Sequence, residues 1–387
     1  MPRLLRITTI PLSLHLLITG QMRYMREKGF DVLTASADGP EREAVMQAEG
    51  CPHHIVPMTR AITPLQDLRC LWQLIRLFRR ERPDIVHSHT PKAGLLAMLA
   101  ARITGVPVRL HTVAGLPLMT AHGFKRRLLA WIERLTYACA GQVWPNSRSL
   151  YTYIKQEQLA PERKLFIVGH GSSNGIDLQR WSPEALEPKR LAAVKEQIRY
   201  NPEAIYLLAV GRVVRDKGIS ELLAAFQELL RSYPSLRLLL AGPLERERPE
   251  EALPPNLLET IDRHPGIIHI PWAEAPEYLL ALSDLFVHAS YREGFPNVVL
   301  QAGAMGCPII CSDIPGNIDI VSDGQTGLHF RVRDAGHLAS QLCYALENTA
   351  DMQAMATRLR QEIEQYYARE AVQEEIYKRY VELLRLP

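Results

Sequence analysis

The residues most able to do chemistry lie around Glu293. The stretch 290–313 (SYREGFPNVVLQAGAMGCPIICSD) places this carboxylate ahead of a Gly-Phe-Pro-Asn turn and an apolar helix that ends near Gly306. The first N–H groups of a helix have no hydrogen-bond partner inside the helix and can bind an anion, while a carboxylate accepts hydrogen bonds from hydroxyl groups. A sugar nucleotide carries both an anion and hydroxyls, so this segment predicts a site for an activated sugar.

A second candidate is GRVVRDKG, residues 211–218, which directly follows a predicted strand. Gly211 lets the chain leave that strand closely, and the cations of Arg212 and Lys217 suit a diphosphate. The glycine spacing and the Lys-Ser/Thr ending of a Walker A loop are missing. Taken alone, the two cations are as easily explained as a solvated loop. Beside Glu293 we interpret them as part of one anion site.

Three segments of the first half also combine polar residues with turns. They are VHSHTPKAG (86–94), HTVAGLP (111–117) and GHGSSNGID (169–177). His89 and Lys92 are candidates for the acceptor side, and so is Asn174. His87 and His89 can share one face of a strand, which leaves a metal site as a minor alternative without a nearby carboxylate. Structural roles for these histidines and an ordinary loop at 169–177 stay open.

Short strands alternate with amphipathic helices along the whole chain, which is typical of parallel sheets covered on both faces. Strands are predicted at 4–9, 31–35, 55–57, 85–88, 108–112, 142–145 and 165–168, and then at 206–210, 237–241, 267–270, 285–288 and 309–311. Helices are predicted at 64–82, 92–104, 124–140 and 369–384, while 11–20 is predicted as a loop.

The predicted fold class is α/β, with two Rossmann-like parallel-sheet domains facing a central cleft. A chain of 387 residues is too long for one ordinary core. A Pro-containing stretch at 181–188 suggests domains 1–182 and 183–365, with a C-terminal helix, 366–387, crossing back to the first domain. Ligands of such sheets bind at the carboxyl ends of strands, so the candidate residues are expected at the cleft.

Composition and charge exclude several functional classes. Lys and Arg minus Asp and Glu give 45 − 42 = +3, too little to indicate a nucleic-acid partner. The first loop lacks the G-x-G-x-x-G of dinucleotide oxidoreductases. Six scattered cysteines indicate reduced thiols in a cytoplasmic protein, and Cys307 with Cys311 are only a weak metal or redox pair. We expect neither a signal peptide nor a transmembrane helix.

Together these motifs resemble family-4 retaining glycosyltransferases of the GT-B fold, over essentially the whole chain. The matching segments are 86–94, 111–117, Pro145–Ser147, Asn174–Asp177, 211–218 and 293–313. The sequences of these motifs are most similar to those of bacterial enzymes that extend capsular, O-antigen or exopolysaccharide units on polyprenyl-diphosphate carriers.

The resemblance implies roles residue by residue. Arg212 and Lys217 would hold the donor diphosphate, and Glu293, the first acid of an E-x7-E motif, would contact hydroxyls of the donor sugar. His111 would line the sugar pocket, and Gly115 would give its loop a close approach. The segment before and at the start of the helix would meet the phosphates or the sugar, with its amides as donors. Its residues are Gly294, Phe295, Pro296, Asn297 and Val298, and Gly211 would lie beside them.

One position departs from the family pattern. The second acid of E-x7-E falls on Gln301, where the family's residue takes the ribose hydroxyls. Gln keeps one carbonyl acceptor and loses the charge, which weakens ribose binding by about 1 kcal/mol.

The resemblance implies transfer of a hexose or N-acetylhexosamine with retention of anomeric configuration, and it favours a UDP-linked donor. No cofactor and no metal are expected, since Lys and Arg can balance the diphosphate charge. The expected acceptor is a polyprenyl-diphosphate-linked saccharide. Apolar and basic residues alternate at 124–140 and 71–82, so peripheral binding to the inner face of the cytoplasmic membrane is expected, although these faces also suit simple packing on a sheet.

Two other functions remain. One is a sugar-nucleotide epimerase on the same fold, which would need acidic and His residues placed differently. The second is a sugar-nucleotide-binding or scaffolding subunit whose catalysis has lapsed, and Gln301 is the feature that favours it.

Overall fold

A computed structural model describes residues 1–246 and 251–385. Within these ranges the chain forms two compact units, residues 1–175 with 369–387 and residues 176–368. The division falls after Gly175 and not after residue 182, because Ile176 and Trp181 are buried in the core of the second unit.

The first unit is built on a six-stranded parallel sheet with the order β3-β2-β1-β4-β5-β6. Its strands and helices in chain order are β1 (Arg3–Ile7), α1 (Pro11–Leu17), α2 (Gln21–Glu27), β2 (Asp31–Ser36), α3 (Arg42–Glu49), β3 (His53–Ile55), α4 (Pro64–Glu81), β4 (Ile85–Ser88), α5 (Pro91–Thr104), β5 (Val108–Val113), α6 (Gly123–Cys139), β6 (Gln142–Pro145) and α7 (Arg148–Gln156).

The second unit contains another six-stranded parallel sheet, with the order β12-β11-β10-β7-β8-β9. Its elements are α8 (Pro188–Gln197), β7 (Ile205–Val210), α9 (Ile219–Leu229), β8 (Leu236–Ala241), α10 (Pro255–Arg263), β9 (Ile267–Ile270), α11 (Pro276–Ala281), β10 (Leu285–His288), α12 (Asn297–Ala304), β11 (Ile309–Ser312), β12 (Leu328–Phe330), α13 (Ala335–Glu347) and α14 (Thr349–Tyr366).

The last helix, α15 (Arg369–Arg385), belongs to the first unit. Its buried residues Val372, Ile376 and Tyr380 pack with Leu4 and Trp144 of the first sheet. The predicted C-terminal helix is therefore present. Residues 386 and 387 of that prediction lie outside the described residues.

Buried apolar runs explain why these strands form. The strands β7 and β10 read IYLLAV and LFVH, and both carry residues shielded by apolar helices on both faces of the sheet. Strands covered on both faces lose the polar alternation of a half-exposed sheet. The predicted α/β class with two parallel sheets is confirmed.

Four local predictions differ from the structure. The strand predicted at 55–57 is β3, which lies at His53–Ile55. Residues 165–168 form a single bridge, Leu165 to Val143, in place of a strand. The predicted loop 11–20 contains α1, because Pro11 fixes a helical φ at the first position and Leu14 is buried. The three-residue strand β12 was missed, since it is too short for a recognisable pattern.

Candidate donor site and its relatives

The candidate site of the second unit lies where the strand order reverses. After β7 the chain adds β8 and β9 on one side, and later β10, β11 and β12 on the other. Arg212 and Lys217 follow β7, and Glu293 follows β10, its direct neighbour in the sheet. Ligands of open α/β sheets bind at such a switch point, beyond the carboxyl ends of the strands.

Gly218 allows the loop after β7 to contact the loop after β10. It adopts a left-handed conformation (φ +65°) directly before α9, and a Cβ here would collide with the carbonyl oxygen of Ala289. The loops are also tied by the Tyr291 amide, which donates to the Asp216 carbonyl at 2.8 Å, and by an ion pair of Arg292 with Asp216 at 3.0 Å. The two loops that carry the candidate residues are therefore held against each other.

Glu293 is the centre of a charged cluster. Its carboxylate forms an ion pair with Lys217, and the same oxygen lies 3.4 Å from His288 Nε2. Burial by itself would raise the pKa of Glu293, but the Lys217 ammonium and His288 outweigh it and hold that pKa well below its usual range. The carboxylate is thus ionised and oriented, with its side chain 18% exposed. The structure brings together the predicted residues Lys217 and Glu293.

Arg212 has a different partner. Its guanidinium pairs with Glu251, and its side chain remains 40% exposed. A small cavity between β7 and β10 is lined by Gly211, Arg212, Lys217, His288 and Ala289. Sequence reasoning missed His288 and Glu251, the acid that pairs with Arg212. The only signal for His288 was its position at the end of β10, and Glu251, in the segment between β8 and α10, had no such signal.

The segment after Glu293 has the predicted form. Gly294, Phe295 and Pro296 are buried, and α12 begins at Asn297. Asn297 and Val298 occupy its first turn, where amides have no partner inside the helix. Gln301 lies one turn further along and is half-buried.

In the first unit, His111 is buried at the end of β5, and Gly115 follows in the loop beyond that strand. His111 Nδ1 lies 2.9 Å from Ser88 Oγ, and a side chain at position 94 would collide with the imidazole, so Gly94 makes room for it. Burial lowers the pKa of His111 to about 4, so the ring is neutral at physiological pH.

The acceptor-side candidates differ in their surroundings. Lys92 binds Asp67 at 2.7 Å and 2.9 Å, and buried Asn174 accepts from Gln21 and Gln373. The imidazole of His89 is buried, and within residues 1–246 and 251–385 its nitrogens have no hydrogen-bond partner.

The minor metal alternative at His87 and His89 gains no support. His87 uses its two nitrogens toward Tyr380 at 2.6 Å and Thr112 at 2.7 Å. Among the described residues, no group of three or more His, Cys, Asp or Glu side chains is placed to hold a metal ion.

The chain is similar to known proteins over its whole length. The model for "Glycosyl transferases group 1" matches residues 192–365, and that for "Glycosyl transferase 4-like domain" matches residues 17–171. The capsular polysaccharide biosynthesis glycosyltransferase CapM of Staphylococcus aureus is 31% identical over 383 residues, which is 99% of this chain and 98% of that protein. The chain belongs to the group 1 glycosyltransferases. It is accordingly a glycosyltransferase with the two-domain GT-B fold.

Two further similarities accompany this assignment. The UDP-Gal:alpha-D-GlcNAc-diphosphoundecaprenol alpha-1,3-galactosyltransferase of Escherichia coli is 26% identical over 282 residues, covering 72% of this chain and 70% of that enzyme. Anabaena Alr3699/HepE, solved in complex with UDP-glucose, superposes with a TM-score of 0.79 at 16% identity, covering 99% of this chain and all of that one. Among the described residues of this glycosyltransferase, no helix combines the length and the apolar composition needed to span a membrane.

Proposed function

We propose that this glycosyltransferase moves a hexose or N-acetylhexosamine from a UDP-sugar to a polyprenyl-diphosphate-linked saccharide, with retention of anomeric configuration and without a metal ion. The observation that carries the proposal is the Lys217–Glu293–His288 cluster at the switch point of the second sheet. The cluster offers a fixed cation for the diphosphate and, paired with it, an oriented carboxylate for the hydroxyls of the sugar.

The chemistry follows from where charge develops. As the bond from the anomeric carbon to the phosphate oxygen breaks, negative charge grows on the diphosphate and positive charge on the sugar. Lys217 and Arg212 would stabilise the diphosphate without moving during the reaction. Their charges take the place of a divalent cation. Glu293 would orient the sugar through its hydroxyls.

Retention is assigned to attack from the face that the diphosphate leaves. The acceptor oxygen bonds to the anomeric carbon, and its proton passes to an oxygen of the departing phosphate. Neither a covalent intermediate nor a separate base is required. His111, neutral at physiological pH, would line the sugar pocket.

The donor and acceptor classes rest on similar proteins. The Escherichia coli relative is named for transfer from UDP-Gal to a diphosphoundecaprenol-linked sugar, and the Anabaena protein was solved with UDP-glucose. An enzyme with a lipid-linked acceptor must reach a membrane surface.

We assign that role to one helical layer of the first unit. α4 and α6 both pack against α5, and both expose large apolar residues beside basic ones. Phe124 and Trp131 of α6 are 80% and 60% exposed, and the Arg76 guanidinium lies 4.0 Å over the exposed Trp72 ring of α4. Aromatic side chains with neighbouring Arg and Lys suit an anionic bilayer surface.

The activity is tested by incubating the protein with a panel of UDP- and GDP-sugars and a polyprenyl-diphosphate monosaccharide. We expect a glycosylated lipid from at least one UDP-sugar, the same rate in EDTA, and by NMR the donor's anomeric configuration in the product. An inverted product would overturn retention, and loss of activity in EDTA would overturn metal independence. Failure with every donor would favour the subunit with lapsed catalysis.

Membrane binding is tested separately by flotation with anionic phospholipid vesicles. The wild type should float at low salt and less at high salt, because screening weakens the basic contribution. The double variant Phe124→Ser/Trp131→Ser should float poorly. Trp272→Ser, which removes an exposed Trp of the second unit, serves as the control. Equal flotation of the double variant would remove this layer from membrane binding.

A further inference from the structure

Arg212 already forms an ion pair with an acid of the same unit. The Arg212 guanidinium pairs with the Glu251 carboxylate, and the backbone secures this contact. The Arg215 amide donates to the Glu251 carbonyl at 3.0 Å, and Arg215 Nε donates to the Ala252 carbonyl at 2.5 Å. Glu251 is therefore held against the loop at both its side chain and its main chain.

The same loop is also contacted from the residues that follow β8. The Val213 amide donates to the Pro243 carbonyl at 2.8 Å, and Val213 pairs with Leu244 in a single parallel bridge. The chain thus lies along the loop both at 243–244 and at 251–252. Because the backbone is attached to the loop at both places, the fold itself brings Glu251 to Arg212, and the ion pair is more than a chance pairing of surface charges.

The two ion pairs of the site are not equivalent. Glu293 is shared between Lys217 and His288 and is only 18% exposed, so it remains charged and in place when a ligand arrives. The Arg212–Glu251 pair is 40% and 32% exposed, and each partner can be solvated if the pair opens. An exposed ion pair of this kind adds little net stability, so a ligand can displace it.

We propose that Glu251 is an internal competitor for the donor diphosphate. In the donor-free enzyme its carboxylate occupies the guanidinium of Arg212, and the diphosphate must displace it to bind. Carboxylates and phosphates use the same planar donors of a guanidinium, and two anions beside one cation repel each other. This inference rests on the proposed function, which assigns Arg212 to the diphosphate.

The test is isothermal titration calorimetry of the full-length protein with UDP. Glu251→Gln keeps the size of the side chain and removes its charge. We expect it to lower the Kd for UDP about two- to fivefold, the equivalent of an exposed ion pair. Glu259→Gln is the matched control, since it removes an exposed carboxylate paired with Arg263 on α10, and it should leave the Kd unchanged.

A second comparison isolates Arg212 as the target of the competition. Arg212→Ala and Arg212→Ala/Glu251→Gln should differ less in their Kd for UDP than the wild type and Glu251→Gln do, because the guanidinium for which Glu251 competes is absent from both. An unchanged or higher Kd for Glu251→Gln, with measurable UDP binding by the wild type, would overturn the inference and leave the proposed donor site intact. Absence of binding by the wild type to both UDP and GDP would overturn the proposed donor site itself, and the inference with it.

Discussion

At the scale of single residues, the account depends on the charge state of Glu293. Burial would raise the pKa of Glu293, but the Lys217 ammonium and His288 outweigh it and hold that pKa well below its usual range, so the carboxylate is ionised between pH 5.5 and pH 8.5. Its role in orienting a sugar therefore does not depend on pH.

This leads to a prediction for Glu293→Gln. The amide is isosteric but binds sugar hydroxyls and Lys217 without charge, so kcat/KM should fall about 100-fold, or about 3 kcal/mol for lost charge-assisted hydrogen bonds. The loss should be the same at pH 5.5 and pH 8.5 in steady-state assays. A loss that disappears at low pH would mean that Glu293 titrates in the working range.

The departure at Gln301 makes a second residue-scale prediction. If its carbonyl takes a ribose hydroxyl, Gln301→Glu restores a charged acceptor and should tighten UDP binding about fivefold, near 1 kcal/mol. Gln301→Ala should weaken UDP binding. Calorimetry with UDP and with the matching uridine diphosphate sugar measures both, and unchanged affinities would separate position 301 from the nucleotide.

At the scale of elements, α6 contains an acid inside the core of the first unit. Glu133 is 5% exposed, and burial raises its pKa to about 7, an effect that the Tyr137 hydroxyl only partly offsets. Between the ordinary Glu pKa and about 7, the folded state binds more protons than the unfolded one. The stability from Glu133 is therefore complete below the ordinary pKa and is lost as the pH rises through 7.

Glu133→Gln should remove this pH dependence. Relative to the wild type, the variant should gain about 3 kcal/mol in unfolding free energy between pH 4.5 and pH 8, as the rise of the Glu133 pKa to about 7 implies. Chemical denaturation at both pH values measures the difference. Parallel stability profiles of the two proteins would show that Glu133 titrates normally.

The sequence predicted elements better than it predicted contacts. The strands β7, β8 and β10 were placed within a residue because each is a buried apolar run ended by a polar turn. The helix α1 was missed because the whole segment reads as apolar, with Pro11 giving the only start signal. The strand at 165–168 was predicted from composition, yet only Leu165 pairs there.

At the scale of the whole molecule, the two parallel sheets followed from the alternation of strands and helices. Lys217 and Glu293 were predicted to act together, since both follow strands, and the order of the sheet places those strands side by side. The acid that pairs with Arg212 was not predictable. Glu251 is 39 residues from Arg212 along the chain, and only the fold brings it to the loop.

The interior of the first unit shows the same limit. Buried Arg6 donates to Tyr380 of α15 and to Gln21, and no periodicity in the sequence indicates such a pairing. Burial of a guanidinium requires hydrogen bonds to offset lost hydration. This network attaches the last helix to the sheet, which the sequence could predict as a packed element without predicting how it is held.

The central claim, that Lys217 stabilises the departing diphosphate, is tested most directly by the rate of UDP release from the preferred UDP-sugar in the presence of a polyprenyl-diphosphate saccharide. Lys217→Ala should reduce kcat at least 100-fold, the scale of removing one electrostatic stabiliser of a transition state, about 3 kcal/mol. Lys189→Ala, which removes an exposed lysine of α8, should leave the rate unchanged. A Lys217→Ala enzyme as fast as the wild type would contradict the account.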